Sequence, residues 1–285
     1  MMDMEGPVID QDRGMWSAEP GRAPRRIDTQ TAHPARRYNY WLGGKDHFAA
    51  DRASGDAVAA AFPTVRIAAL ENRAFMRRAV SFLTREAGVR QFLDIGTGIP
   101  APNNTHEIAQ AIAPESRVVY VDNDPIVLSH ARALLNSSSE GATAYIEADL
   151  RDPERILSDP YVRKVLDFSE PVALLMIAIL HFVPDSDDPY RAVGTLTDAM
   201  PSGSYLVASH TTADFATPEM VAAAQAHPTA GVYVRSREEF GRFFDGMSLL
   251  PPGIVSTVEW RPEDEPGARP TPVEASFYGA AAQLP

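Results

Sequence analysis

The run Phe92-Leu93-Asp94-Ile95-Gly96-Thr97-Gly98 sets the tightest limit on the architecture: a short apolar stretch ends in an acid and two closely spaced glycines. Bounded in that way, it reads as a buried strand turning into a loop. A second apolar run, Val118 to Val121, also ends in an acid, Asp122. Two such strands, each with a carboxylate at its end, point to a nucleotide-like ligand at the carboxyl edge of a parallel sheet.

The flanking sequence supports that reading. Phe75, Ala79, Phe82 and Leu83 recur at helical spacing ahead of the first strand, and Gly88 is placed to end that helix. After the glycine loop, Asn104-Thr105-His106-Glu107 carries a capping-box pattern, and Asp124-Pro125 offers an N-cap and first helical residue after the second strand. A third strand is expected through Tyr145 and Ile146 to Asp149, a fourth from Val172 to Leu180 and a fifth from Tyr205 to Ser209. Asp152-Pro153, the stretch from Tyr190 to Met200, and Ser236-x-x-Glu239 mark further helices. Two late strands, Ile254 to Trp260 and Ser276 to Ala281, flank a proline-rich segment too short for a helical crossover, which implies an antiparallel pair. Alternating strands and helices predict a doubly wound, mostly parallel α/β sheet.

Composition narrows the class. With 285 residues, 45% hydrophobic and 22% charged, the chain can bury a large core. The expected division is a flexible tail over 1–30, an N-terminal aromatic extension over 31–70 and the α/β domain over 71–285. The absence of cysteine excludes disulfides, thiolate metal sites and cysteine nucleophiles, and no metal is expected. A net charge of −12 works against nucleic acid as a partner. Arg22, Arg25, Arg26, Arg36 and Arg37 form a local basic run that reads as a solvated tail. No apolar stretch is long enough for a membrane helix and no secretory h-region opens the chain, so a cytoplasmic location is expected.

The glycine loop does not suit a dinucleotide. Ala101 stands where a third glycine would be, and Pro100 and Pro102 disturb the helix start that should receive a pyrophosphate. Asp122 is placed to accept both hydroxyls of an unphosphorylated ribose, with helix capping as the alternative. Asp149 is placed to accept from an adenine amino group, with a solvated loop acid as the alternative.

Asp94-Ile-Gly-Thr-Gly98, Asp122, Asp149 and Ile179-Leu-His-Phe-Val-Pro-Asp185 together resemble the ordered motifs of class I S-adenosylmethionine-dependent methyltransferases. More narrowly, Arg36-Arg-Tyr-Asn-Tyr-Trp-Leu-Gly-Gly-Lys-Asp-His-Phe48, taken with Gln91 to Pro100 and Asn104-Thr-His-Glu107, is similar to an actinobacterial group of uncharacterised methyltransferases once known as a domain of unknown function. The resemblance implies a Rossmann-like seven-stranded sheet with the last strand antiparallel, and S-adenosylmethionine as cofactor with S-adenosylhomocysteine as product. It also implies that Asp94, Gly96 and Gly98 approach the methionine part, Asp122 the ribose, and Asp149 with Leu150 the adenine. Thr97, Asn123 and Ile179 complete the expected cofactor-binding set.

Ile179-Leu180-His181-Phe182 departs from the Asp/Asn-Pro-Pro-Tyr/Phe pattern of enzymes that methylate DNA bases or glutamine, so a small-molecule acceptor is expected. Methyl transfer from a sulfonium relies mainly on in-line positioning, and a base is needed only where the acceptor must lose a proton. His181 is the candidate base by position, with His210 and His106 as the other histidines near strand ends. Tyr38, Asn39, Lys45 and Asp46 belong to the aromatic segment, which reads either as packing against the sheet or as a lid over cofactor and acceptor. A non-catalytic protein that binds S-adenosylmethionine or S-adenosylhomocysteine is the competing expectation, and a nicotinamide-dependent dehydrogenase fits the fold but not the loop. The oligomeric state and the identity of the acceptor have no signature in the chain.

Overall fold

The computed structural model describes residues 14–16, 27–134, 137–226, 231–262 and 269–285. The strands are β1 (Gly14–Trp16), β2 (Gln91–Ile95), β3 (Arg117–Asp122), β4 (Ala142–Glu147), β5 (Ala173–Met176), β6 (Tyr205–Thr211), β7 (Ser248–Leu249), β8 (Val255–Ser256) and β9 (Phe277–Gln283). They form one sheet in the order β1-β4-β3-β2-β5-β6-β9-β7, with β8 also paired to β9. Neighbours from β1 to β6 run parallel, whereas β9 lies antiparallel to β6, β7 and β8. This is the expected doubly wound sheet with its last strand reversed, extended by β1 at one edge and by the short β8.

The helices are α1 (Pro34–Trp41), α2 (Ala49–Ala61), α3 (Val65–Arg85), α4 (Thr105–Ile112), α5 (Pro125–Leu134), α6 (Pro153–Ser158), α7 (Pro160–Val165), α8 (Pro189–Asp198), α9 (Pro218–Ala226), α10 (Arg237–Gly241) and α11 (Pro272–Ala275). Successive strand side chains point to opposite faces, and a strand covered on both sides becomes a continuous apolar run. Accordingly Leu93, Ile95, Val119, Val121, Leu174 and Leu206 pack on one face with Ile156 of α6, Val162 of α7, Leu196 of α8 and Phe240 of α10. Phe92, Val118, Tyr120, Leu175 and Val207 pack on the other with Phe75, Ala79 and Leu83 of α3 and Ala109 of α4. Strand order reverses about β2, which opens a crevice at the carboxyl ends of β2, β3 and β5.

Several sequence expectations are corrected. The run from Val172 to Leu180 is a strand only to Met176. Ala178 turns left-handed at φ +54, its N–H donates to Ser209 Oγ at 3.0 Å, and Leu180 stays in the core from a 3-10 turn. Of the strand expected from Ile254 to Trp260 only β8 forms. The Trp260 ring turns inward to meet Phe75 edge-on at 5.3 Å, and Arg78 binds the Thr257 and Trp260 carbonyls. Within the stretch read as a flexible tail, Ile27 packs against Ile99, Ile126 and Val127. Gly14–Trp16, inside the stretch read as a tail, pairs with β4. Residues 1–13 and 17–26, with Arg22, Arg25 and Arg26, lie outside the described residues, as does most of the proline-rich segment after Pro262.

Arg36 and Arg37 are not solvated, being 4% and 8% exposed. Arg36 Nε donates to Asp124 Oδ2 at 3.0 Å, its Nη1 lies 3.6 Å from Asp51 Oδ2, and the same Nη1 donates to the Asp28 carbonyl. Asp51, fully buried, also accepts from the backbone N–H groups of His33 and Phe48. This network clamps α1 and α2 onto the end of β3, and Ala35 comes to lie over Gly98.

A close approach on the opposite face yields a stability test. A Cβ at Gly279 would meet the Phe75 ring at 2.8 Å. Gly279→Ala is therefore expected to destabilise the fold by about 1–3 kcal/mol through overpacking, read as a lower urea midpoint at unchanged slope.

Candidate active site

Two left-handed glycines form the floor of the crevice. Gly96 has φ +75 and Gly98 has φ +69, a conformation that a side chain would strain. A Cβ on Gly96 would also fall 2.6–2.8 Å from Ile179, so the Ile179 side chain can lie on the loop only because position 96 has none. The amides of Gly96 and Thr97 both donate to the Val121 carbonyl. Asp122 braces the far side of the loop: its Oδ2 accepts from Gly98 N at 2.8 Å and its Oδ1 from Asp124 N at 2.9 Å. Burial raises its pKa, against the lowering effect of those two amides. Each carboxylate oxygen keeps a second lone pair, so hydroxyl donors can still be accepted.

Asp94 sits beneath the loop. It is buried, its Oδ2 accepts from Thr105 Oγ1 at 2.6 Å, and burial pushes its carboxyl up to about 6. Thr105 is the first residue of α4, whose start is held by Glu107 accepting from Asn104 N. At the other end of the crevice Asp149 accepts from Asn123 Nδ2 at 2.9 Å and from Arg151 Nε and Nη2. Those bonds outweigh partial burial and hold its carboxyl down to about 2. Gly96, Asp122, Asn123, Asp149, Leu150 and Ile179, all candidates from sequence, line one cleft together with Arg151, Phe182 and Val183. Arg151 had no sequence signal beyond its place after Asp149.

The three histidines separate clearly. His106 is engaged with Tyr120, whose hydroxyl lies 2.7 Å from both its backbone N and its Nδ1. His210 is fully buried, its Nδ1 donates to the Thr211 carbonyl at 2.7 Å, and its Nε2 receives Arg235 Nη1 at 2.8 Å. That network assigns the neutral tautomer, and burial takes the ring down to about 4. His181 differs. It is 5% exposed, its Nδ1 has no partner, and its ring lies against Phe182, His210 and Phe277. Burial first, then its neighbours His210, Arg235 and Arg37, hold its pKa well below the usual histidine range, so the ring is neutral.

Arg235 was invisible in the sequence because it comes from the distant segment before α10. It fixes the turn that carries His181, donating to the Leu180 and Val183 carbonyls and pairing with Asp185 Oδ1 at 2.6 Å.

The aromatic segment is placed over the glycine loop, yet its polar groups turn mostly inward. Tyr38 donates to the Ala69 carbonyl and accepts from Asn72. Asn39 accepts from Asp46 N within its own loop and fills the space beside Gly44, where a Cβ would collide with it. Lys45 is exposed, and Asp46 lies 3.7 Å from His130. Among the described residues no cluster of three His, Asp or Glu is placed to hold a metal ion.

The Asp94 carboxyl, at about 6 in the folded chain against 3.8 unfolded, keeps its proton in a window where the unfolded chain has released it. Its contribution is fully present below about pH 4 and is lost as pH rises through about 6. Asp94→Asn cannot ionise, so urea titrations from pH 4 to 7 are expected to show the variant gaining about 2 kcal/mol relative to the parent as pH rises.

Comparison with known proteins identifies the family. A family model described as S-adenosyl methyltransferase covers residues 20–285. A DUF574 family protein from Streptomyces avermitilis of known structure is 48% identical across 91% of this chain and 100% of that chain, with a TM-score of 0.85. A methyltransferase candidate from Thermobifida fusca is 41% identical across 90% of this chain and 96% of that one, with a TM-score of 0.82. An O-methyltransferase family protein from Burkholderia thailandensis shares only the fold, at 14% identity and a TM-score of 0.50 over 78% of this chain and 58% of its own. The curated proteins hold no match. With its glycine loop, its carboxylates at successive strand ends and a family match that runs to the last residue, the chain belongs to the actinobacterial S-adenosyl methyltransferase family, a group of class I S-adenosylmethionine-dependent methyltransferases.

Proposed function

We propose that the protein methylates a small-molecule acceptor in the cytoplasm, with the residues of the β2, β3 and β5 crevice holding the cofactor and His181 facing the acceptor. The observation that carries this reading is the single cleft lined by Gly96, Asp122, Asn123, Asp149, Leu150 and Ile179. S-adenosylmethionine, when bound, supplies an electrophilic methyl group on a sulfonium whose thioether leaves readily.

The chain contributes position and polarity. Gly96 and Gly98 let the backbone approach the amino-acid end of the cofactor. Asp122, pinned by Gly98 and Asp124, offers its remaining lone pairs to the ribose hydroxyls. Asp149 and Asn123, with the apolar Leu150, receive the adenine. Asp94, held by Thr105, lies close beneath the loop, and a cation brought there would favour its ionised form.

His181 accepts the proton of the acceptor's nucleophilic group. Its neutral ring is the state a base requires, and the acceptor's proton becomes more acidic as its heteroatom donates electron density, so a weakly basic imidazole suffices. A small acceptor is supported by the buried, ring-walled setting of His181 and by the overall charge of −12, which disfavours nucleic acid. Among the described residues no helix is long and apolar enough to cross a membrane.

Calorimetry with purified protein tests the cofactor assignment: both S-adenosylmethionine and S-adenosylhomocysteine are expected to bind, and absence of binding by either would sink it. Asp122→Ala is expected to bind S-adenosylhomocysteine at least ~50-fold more weakly, because hydrogen bonds to a charged carboxylate contribute about 1.5–3 kcal/mol each. Near-parental affinity would remove the ribose role. With an acceptor in hand, His181→Gln is expected to lower kcat by about 100-fold or more while leaving S-adenosylhomocysteine affinity in place. Since burial keeps the ring neutral, the parent's kcat should also show no acid limb near the usual histidine pKa; a limb there would contradict the assignment.

A further inference from the structure

Asp149 has no hydrogen-bonding capacity left over for a ligand. A carboxylate offers roughly four lone-pair positions. Oδ1 accepts from Arg151 N at 3.0 Å and from Arg151 Nε at 2.9 Å, while Oδ2 accepts from Arg151 Nη2 at 2.7 Å and from Asn123 Nδ2 at 2.9 Å. Asp122, at the end of β3, differs: one backbone amide lies on each of its oxygens, which leaves a second lone pair open on both. Most of the bonds on Asp149 thus come from a residue two places along the chain, and Arg151 lines the same cleft.

The cleft is also small. It encloses about 60 Å³, against the roughly 300–1,000 Å³ of an ordinary small-molecule pocket. A nucleoside can enter only if part of the wall moves, and the Arg151 side chain has the freedom to do so: it is 51% exposed, and the Asp149 carboxylate it holds is 32% exposed. Ion pairs this open to water hold their partners weakly. A second acid stands beside the guanidinium. Asp187 Oδ2, in the turn after Val183, lies 3.5 Å from Arg151 Nη1, longer than the ~2.7–2.9 Å of a charge-assisted bond. Rotating the guanidinium toward Asp187 shortens that contact and withdraws Nη2 from Asp149 Oδ2. A lone pair is then freed beside Asn123, and an exocyclic amino group can take the place of Nη2 with no loss of bonds to the carboxylate.

We infer that Arg151 competes with the cofactor's adenine for Asp149: in the free protein its guanidinium fills the lone pairs of the carboxylate, and on binding it exchanges Asp149 Oδ2 for Asp187. The adenine amino group then bonds at the position that Nη2 leaves. Arg151 in this way sets how tightly the adenosyl end is held. The inference rests on the cofactor reading above and adds a residue that works against binding.

Calorimetric titration of the full chain with S-adenosylhomocysteine gives the test, because competition predicts effects of opposite sign at two exposed side chains. Arg151→Ala is expected to bind at least ~3-fold more tightly than the parent, since no ion pair has to open to admit the base. Asp187→Asn is expected to bind about 2-fold or more weakly, having lost the charge that receives the guanidinium. In the double variant the Asp187 effect is expected to vanish, leaving the affinity of Arg151→Ala. Unchanged or weaker binding in Arg151→Ala would overturn the proposal, because the guanidinium would then hold the adenine instead of yielding to it. Unchanged or tighter binding in Asp187→Asn, or an Asp187 effect that persists without Arg151, would overturn it as well. Neither side chain belongs to a core cluster, so both variants are expected to fold. Should Arg151→Ala fail to do so, Asp187→Asn decides alone, weaker binding supporting the exchange and unchanged binding ending it. Failure of the parent to bind S-adenosylhomocysteine at all would instead remove the cofactor reading.

Discussion

Everything at the ligand end of this molecule depends on the burial of Arg36 between Asp51 and Asp124. Removing any one of the three would strand charge in the interior, where an unpaired ion is far less tolerable than a pair. The arrangement joins segments distant in the chain: Asp51 opens α2, Arg36 lies on α1, and Asp124 follows β3. Because Asp124 N is also bonded to Asp122, the clamp is continuous with the carboxylate that braces Gly98. The aromatic extension is therefore wired into the glycine loop through hydrogen-bonded charge, and Ala35 rests on Gly98 as a result.

A second consequence is the polarity of the crevice. One side presents carboxylates at the ends of β2 and β3 and just past β4, while the side beyond β5 and β6 holds His181 against the rings of Phe182, His210 and Phe277. The left-handed Ala178 marks the border. A non-glycine residue in that conformation costs about 1–2 kcal/mol, and it persists here because Ser209 Oγ holds its N–H. The turn it makes sends Ile179 toward the glycine loop and His181 toward the rings of Phe182 and Phe277.

The sheet and most residues of the cleft were legible from residue order because their signals are local. Strand β2 runs over Gln91–Ile95 as its apolar pattern implies, and Asn104 with Glu107 opens α4 where the capping pattern stands. The late chain was less legible. Trp260 belongs to an apolar run that looks like strand, yet its ring is captured by Phe75 and its backbone by Arg78, contacts made across nearly two hundred positions of sequence. The arginines misled for a related reason: a guanidinium in a glycine- and proline-rich stretch reads as solvated until the acids that bury it are known. Tyr38 and Asn39, recognisable as unusual, turn their polar groups to Ala69 and to their own loop.

Periodicity, caps and the glycine-acid spacing were enough to specify an α/β sheet with a nucleoside-type ligand at its carboxyl edge, since each of these acts over a few neighbouring residues. How deeply His181, Arg36 and Arg37 are buried, which acids hold Arg36, and how the N-terminal helices lie over the loop were settled only by tertiary packing. Burial and pairing depend on what the fold brings together from distant parts of the chain, and a buried charge acquires its meaning from those neighbours.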